Sequence, residues 1–231
     1  MGADQFVDAL IGHTRPIYAL LEEIEAAGTR VECFPGKTSP HTGNGGNHAT
    51  ADWHHKEQVW RIYHPVSCHA HQVYHELLHV HRYCLEKAPF LVAKAGVDAG
   101  TTSNLSELNN DFDHAHVVPR EVRAYPEAGD YWSRDFSRKF PVIPKSTEGS
   151  LAMFQAKLEL LRGWLVLPVA IPQSAVTQRY RDALQANDWL SAAERMTQQV
   201  QAAGPDKSDA VRAFREALGI NFPAIDLCSY Q

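Results

Sequence analysis

The sequence lacks the features that mark membrane, nucleic-acid-binding and disulfide-rich proteins. No apolar run approaches the roughly 20 residues that a membrane-spanning helix needs, and the most apolar segment, Gly163–Pro172, is short and interrupted by prolines. The lysines and arginines form no basic stripe, and the net charge is −5, so nucleic acid is not an expected partner. The four cysteines form no C-x-x-C pair, which indicates reduced thiols rather than a disulfide framework.

The first residues also lack the pattern of a secretion signal. They have neither the basic start nor the apolar core that such signals carry. We therefore expect a cytoplasmic protein that does not act at a membrane. Hydrophobic residues make up 44% of the 231 residues and charged residues 21%, which is typical of a globular protein with a sizeable core.

Histidine is the residue type that the sequence has in excess, with 13 copies. The stretch QVYHELLHVHRY contains His75, Glu76 and His79 in the order H-E-x-x-H. On a helix the two histidines lie one turn apart on one face, so both imidazoles can reach one metal ion. Zinc in catalytic sites takes three protein ligands and a water. Glu76 projects to the side of the histidine pair, where it can take a proton from that water.

The surroundings of the motif favour this interpretation over a core helix with hydrogen-bonded histidines. The pattern predicts a helix from near Ser67 or His69 to about Glu86, and Pro89 prevents its continuation. Before it, Glu57–His64 alternates and is rich in β-branched and aromatic residues, which predicts a strand. The spacing, the apolar residues between the histidines and the preceding strand all agree with a metal site.

Helical periodicity dominates the rest of the chain. The first third is predicted to contain a helix over Asp4–Ala27, a strand over Thr29–Gly36 and a loop over Lys37–Lys56. Later helices are predicted over Thr102–His116, Glu121–Phe140 (with interruptions), Thr147–Trp164, Ser174–Ala186, Leu190–Ala203 and Lys207–Leu218. We therefore predict an α+β fold with a small mixed sheet and a helical majority. We expect a catalytic core over residues 1–120 and a mostly helical part over residues 121–231.

The motif helix and the elements around it resemble the zincin metallopeptidases. The order helix, strand, loop, strand, motif helix and second acidic helix is similar to the minimal zincin core and covers residues 1 to about 120. The resemblance implies a zincin-like fold and one zinc ion held by His75, His79 and a third ligand, with Glu76 as general base. It also implies that Glu57–His64 is an edge strand beside the motif helix, along which an extended peptide substrate would pair.

The third ligand and the subfamily stay open at this point. Arg82 and Glu86 occupy the positions of the glycine and the last histidine of the longer metzincin motif, which excludes that form. The pair Asp113–His114 is similar to the acidic residue and histidine of gluzincin-like families, with aspartate in place of glutamate. The G-T-x-D motif of aspzincins is missing. In order of preference, the candidate ligands are Asp113, His114, and then Asp111 or Glu107.

Three further residues are candidates for substrate or transition-state contacts, namely His71, His116 and Tyr125. The function we expect is a zinc-dependent peptidase that hydrolyses a peptide bond in an intracellular protein or peptide. The alternative is a binding module with a zincin fold, or a structural zinc domain, without hydrolytic activity.

Overall fold

The computed structural model describes residues 15–37, 39, 48–65, 67–93, 99–144, 151–219 and 225–228. Over these ranges the fold is α+β and mostly helical, as predicted, with eight helices, a three-stranded mixed sheet and a two-stranded sheet. None of the helices within these ranges combines the length and the apolar character that crossing a bilayer requires. The chain divides into two compact units, residues 1–87 and 88–231. The predicted division near residue 120 stays a prediction.

Within its described residues, the first unit has two helices and three strands. In chain order these are α1 (Arg15–Ala26), β1 (Arg30–Pro35), β2 (Thr50–His54), β3 (Val59–His64) and α2 (Ala70–Cys84). The part of the predicted first helix before Arg15 lies outside the described residues.

The part of the second unit that the structure describes has two short strands and six helices. Its elements are β4 (Phe90–Ala93), α3 (Ala99–Ala124), α4 (Ala128–Lys139), α5 (Leu151–Ala170), α6 (Ala175–Ala186), α7 (Leu190–Ala203), α8 (Lys207–Leu218) and β5 (Ile225–Cys228). Strands β4 and β5 pair antiparallel, and neither was predicted from the sequence.

The strand before the motif helix is the central strand of its sheet. Strand β3 pairs parallel with β1 and antiparallel with β2, so the order is β1-β3-β2. The prediction that Glu57–His64 forms an edge strand is therefore wrong. The edge strand that contacts α2 is β2, which was predicted to be loop. Five of the six residues of β3 are buried, so the alternation seen in the sequence did not describe the burial of this strand. Alternation also carries no information about how many strands pair alongside.

The two helices of the first unit pack through an apolar stripe. The residues Ile17, Leu20, Leu21 and Ile24 follow the three- and four-residue spacing of one helix face, and all four are buried. Helix α1 contacts α2 along this stripe. Both helices also contact the sheet, α1 at β1 and the motif helix at β2 and β3.

Two helices of the second unit continue through an internal proline. Each proline lacks the backbone N–H that would bond to the carbonyl four residues earlier, and a side chain of helix α7 lies within hydrogen-bond distance of that carbonyl instead. Pro119 has no N–H for the carbonyl of Ala115, and Gln201 Nε2 donates to that oxygen at 2.7 Å. Likewise Pro168 has no N–H for Trp164, whose oxygen lies 3.1 Å from the hydroxyl of Thr197, and that hydroxyl shares its proton with the Ala193 carbonyl at the same distance.

These side-chain donors explain why two helices extend beyond their predicted ends. The sequence predicted ends at His116 and Trp164, each shortly before a proline, whereas the helices reach Ala124 and Ala170. A proline normally ends a helix because it leaves a carbonyl without its donor. Here side chains from another helix replace that donor.

Helix α5 lies at the centre of the second unit, where it contacts helices α3, α6, α7 and α8. It crosses α6 closely at Gly163, where a Cβ atom would lie 2.2 Å from a ring carbon of Tyr180. The buried Tyr180 hydroxyl donates to the carbonyl of Phe136 at 3.3 Å. Glycine at position 163 therefore permits the approach of the tyrosine ring.

Candidate metal centre

The start of the motif helix is fixed by hydrogen bonds from Gln72. Its Oε1 atom accepts the backbone N–H of His69 at 3.1 Å and the thiol of Cys68 at 3.2 Å. Its side-chain nitrogen lies 3.2 Å from Nδ1 of His48. A side chain that returns to the residue before the first turn satisfies one of the donors that a helix leaves open. The helix begins at Ala70, one residue after the later of the two predicted starts.

The two motif histidines meet on one face of α2, as their spacing predicts. The Nε2 atoms of His75 and His79 are 3.1 Å apart, and the rings pack edge to face with their centroids at 4.8 Å. Both side chains are buried. Two nitrogens on one tetrahedral zinc ion, at 2.0–2.1 Å each, would be about 3.3 Å apart. The pair therefore fits two adjacent positions of such an ion with little change.

An aromatic stack supports the ring of His79. The ring of Tyr83 lies nearly parallel to it at 6.3 Å between centroids, and Trp60 stacks on Tyr83 at 5.9 Å. Trp53 packs against Trp60 at 5.5 Å. Because buried rings in contact restrict one another's rotation, this stack limits the orientations that the His79 imidazole can adopt.

Glu76 bonds to the edge strand of the sheet. Its Oε2 atom accepts the backbone N–H of Ala51, in β2, at 3.0 Å. The Ala51 N–H therefore points away from Ile62, the residue opposite it in β3. The carboxylate of the motif thus lies at the outer edge of the sheet, beside the strand that borders α2.

The thiol of Cys68, which interacts electrostatically with Glu76, is unsuited to act as a nucleophile. Burial, assisted by the negative charge of Glu76, raises the pKa of Cys68 to about 12. A thiol with that pKa stays protonated at neutral pH, and the thiolate is the form that ligates and attacks.

In the second unit, the carboxylate of Asp113 is held by a buried ammonium group. Asp113 on α3 is 0% exposed and Lys207 on α8 is 1% exposed, with Nζ 2.8 Å from Oδ2. Asn109 accepts from Lys207 at 2.9 Å and from the backbone N–H of Leu91 at 3.1 Å. The residue ranked first as third ligand therefore already has a strong charged partner, and its ligand role stays a prediction.

The next residue, His114, points in another direction because adjacent helical residues differ by about 100°. It is partly exposed, and its ring packs edge to face with Trp132 of α4 at 5.2 Å. The Trp132 indole N–H donates to the buried carboxylate of Glu121 at 2.9 Å. The indole that contacts His114 is thereby fixed in position.

The two remaining acidic candidates share one cation. Arg162 of α5 lies 2.5 Å from a carboxylate oxygen of Asp111 and 3.2 Å from one of Glu107. Both acids thus lie on the side of α3 that faces α5. These contacts indicate a structural role for both.

The three residues proposed for substrate contacts are placed as follows. His71 is buried in the first turn of α2, and its ring stacks on His69 with centroids 5.7 Å apart. His116 is half-buried on α3. Tyr125 is buried directly after α3, with its backbone N–H bonded to Glu121 at 2.8 Å. Their functional roles stay predictions.

Sequence reasoning missed Lys207, Trp132 and the backbone of Ala51. Lys207 and Trp132 are separated from their partners by many residues, and neither belongs to a motif. Ala51 contributes a backbone N–H, a group that almost every residue type has, so the sequence does not reveal this role.

No protein-family model, curated protein or solved structure matches this chain.

Proposed function

We propose that this chain is a zinc-dependent peptidase with a zincin-like fold, in which His75, His79 and His114 bind the metal. The observation that carries the proposal is the 3.1 Å separation of the Nε2 atoms of His75 and His79 on a helix that also bears Glu76.

His114 is a better third ligand than Asp113 on the contacts within the second unit. Asp113 would have to give up its buried bond to Lys207 to reach a metal, which would leave an ammonium group buried without a counter-charge. His114 carries no formal charge as a neutral imidazole, so ligation by this residue leaves the ion pair intact. Three imidazole nitrogens are a ligand set that catalytic zinc accepts.

Glu76 is the residue that we propose to move protons in the reaction. A bound zinc ion would supply a Lewis acid that polarises the scissile carbonyl and acidifies water. Glu76 would accept a proton from the attacking water and then deliver it to the departing amine. The carboxylate is suited to this exchange because its second oxygen can accept a hydrogen bond while Oε2 is held by Ala51.

The substrate we propose is a protein or peptide bound in extended form. An extended peptide can add to the edge of a sheet by main-chain hydrogen bonds, and β2 is the edge strand that borders α2. The zincin resemblance implied that the peptide pairs with the strand before the motif helix. We assign this pairing to β2 instead. Because Glu76 occupies the Ala51 N–H of this edge, the general base lies beside the path of an added peptide, which would pair with other backbone groups of β2.

Metal content tests the ligand pair. Wild-type protein purified without chelator should contain about one zinc ion per chain by elemental analysis, and the double variant His75→Ala, His79→Ala should contain almost none. His81→Ala is the matched control, because His81 lies on the same helix but bonds to Glu86 at 3.1 Å. Wild-type protein that contains and accepts no transition metal would overturn the proposal.

Peptide cleavage tests the reaction. The wild-type protein, incubated with a mixture of peptides from a digested cell lysate, should create new amino termini that mass spectrometry detects. Glu76→Gln should keep its zinc and create none, because the amide cannot accept the proton of water. Cleavage by Glu76→Gln at the wild-type rate would contradict the assigned base. Zinc binding by the wild type with no cleavage of any peptide or protein would favour a binding module.

A further inference from the structure

The bond between Ala51 and Glu76 joins two elements that are far apart in sequence. The donor is a backbone N–H on β2, and the acceptor is the Oε2 atom of a side chain on α2, 3.0 Å away and 25 residues later. Its neighbours Thr50 and Asp52 lie in register with Tyr63 and Arg61 of β3. The donor is therefore fixed by the sheet, with no side-chain rotation of its own.

A donor fixed in this way removes freedom from the carboxylate. A glutamate side chain has three rotatable bonds, and exposed or loosely packed carboxylates sample several rotamers. A hydrogen bond from an amide to a carboxylate is charge-assisted and stronger than one between neutral groups. Holding one oxygen at 3.0 Å from Ala51 restricts where the second oxygen can lie.

We propose that the backbone N–H of Ala51 is a positioning group for the general base. It fixes Oε2 of Glu76 so that Oε1 faces the water that the base deprotonates, and this inference rests on the proposed function. The role belongs to the main chain, so any residue that has an N–H can fill position 51, and proline cannot. A catalytic group held in productive geometry reacts faster than the same group free to rotate.

The decisive pair of variants is Ala51→Pro and Ala51→Val. Proline removes the N–H, and valine has a side chain of similar size that keeps it. Proline is tolerated on edge strands where its nitrogen points away from the neighbouring strand, and the Ala51 N–H points away from β3. Replacement of Ala51 by lactic acid, which exchanges the amide for an ester, is a second route that adds no ring if Ala51→Pro fails to fold.

The first measurement is the visible absorption spectrum of the chain loaded with Co²⁺, which reports the ligand geometry of the metal. Ala51→Pro should bind Co²⁺ but change the intensity or position of the bands, because a released Glu76 carboxylate can turn toward the metal. Ala51→Val should match the wild type. In a Glu76→Ala background, Ala51→Pro should change nothing further, since the effect acts through that carboxylate.

The second measurement is the rate of peptide cleavage, on whichever peptide the wild type cleaves. Ala51→Pro should lower kcat about ten- to hundredfold with little change in KM, the range expected for losing a hydrogen bond to a charged group. The inference is overturned if Ala51→Pro matches Ala51→Val in spectrum and rate, or shifts the spectrum equally without Glu76. The proposed function fails instead if wild-type protein binds no Co²⁺.

Discussion

The ammonium nitrogen of Lys207 lies 2.8 Å from Oδ2 of Asp113, and both side chains are buried. Removing one member of such a pair leaves a buried charge without compensation. Lys207→Met should therefore lower the free energy of unfolding by about 3–5 kcal/mol in urea titrations. The double variant Lys207→Met, Asp113→Leu should recover most of this loss, because the remaining charge is also removed.

Lys139→Met is the matched control for that experiment. Lys139 also pairs with an aspartate, at 2.7 Å from Asp135, but its side chain is 61% exposed. An exposed pair contributes at most about 1 kcal/mol. Equal losses from Lys207→Met and Lys139→Met would show that burial of the first pair has no energetic consequence.

The choice between His114 and Asp113 as third ligand gives opposite expectations for two adjacent variants. His114→Ala should lose most of its zinc, since two histidines alone bind zinc weakly. Asp113→Asn should keep its zinc but unfold at lower urea concentration, because Lys207 loses its counter-charge. His116→Ala serves as the control, because it lies on the same helix and is also half-buried. Zinc retained by His114→Ala and lost from Asp113→Asn would restore the first sequence-based choice.

The proline in α3 and the glutamine that compensates for it should be energetically coupled. Gln201→Met removes the donor to the Ala115 carbonyl and should cost about 1–3 kcal/mol, the penalty for an unsatisfied buried acceptor. Combined with Pro119→Ala, which restores a helical N–H, the same change should cost much less. Chemical denaturation of the four proteins of this cycle measures the coupling. Additive effects would exclude the proposed replacement.

The contact between α5 and α6 should not tolerate a single methyl group. In Gly163→Ala the new Cβ would lie 2.2 Å from the Tyr180 ring, and we expect a loss of about 1–3 kcal/mol from overpacking. Gly129→Ala, also within a helix, meets its nearest atom at 3.4 Å. That control should be neutral or stabilising by roughly 0.5–1 kcal/mol, because alanine favours the helix. Thermal unfolding of both variants provides the comparison.

The motif helix was predictable because all its determinants are local. The spacing of His75 and His79 fixes their shared face, and Pro89 limits the end of the helix. Strand β2 was not predictable in the same way, because Thr50–His54 has little β propensity and forms its ladder with a partner that the local pattern does not reveal. The edge position was assigned to the wrong strand for that reason.

The third ligand shows where helical periodicity stops being informative. Leu105 and Phe112 mark a buried side of α3, and Asp113 lies next to that side, where a polar residue could serve either a metal or a core ion pair. The deciding partner, Lys207, follows 94 residues later. Periodicity within α3 carries no information about α8, so the choice between adjacent residues required the packing of the helices.

Helix α7 fixes the position of two other helices along their axes. Thr197 and Gln201 are four residues apart, about 6 Å along the axis, and they reach carbonyls on α5 and α3, which pack against each other. Sliding either helix by one residue would break its bond to α7, so the two prolines and their donors fix the relative register. In diverging descendants of this chain, each proline should therefore be lost or gained together with its donor, and insertions within α7 should be rare between positions 197 and 201.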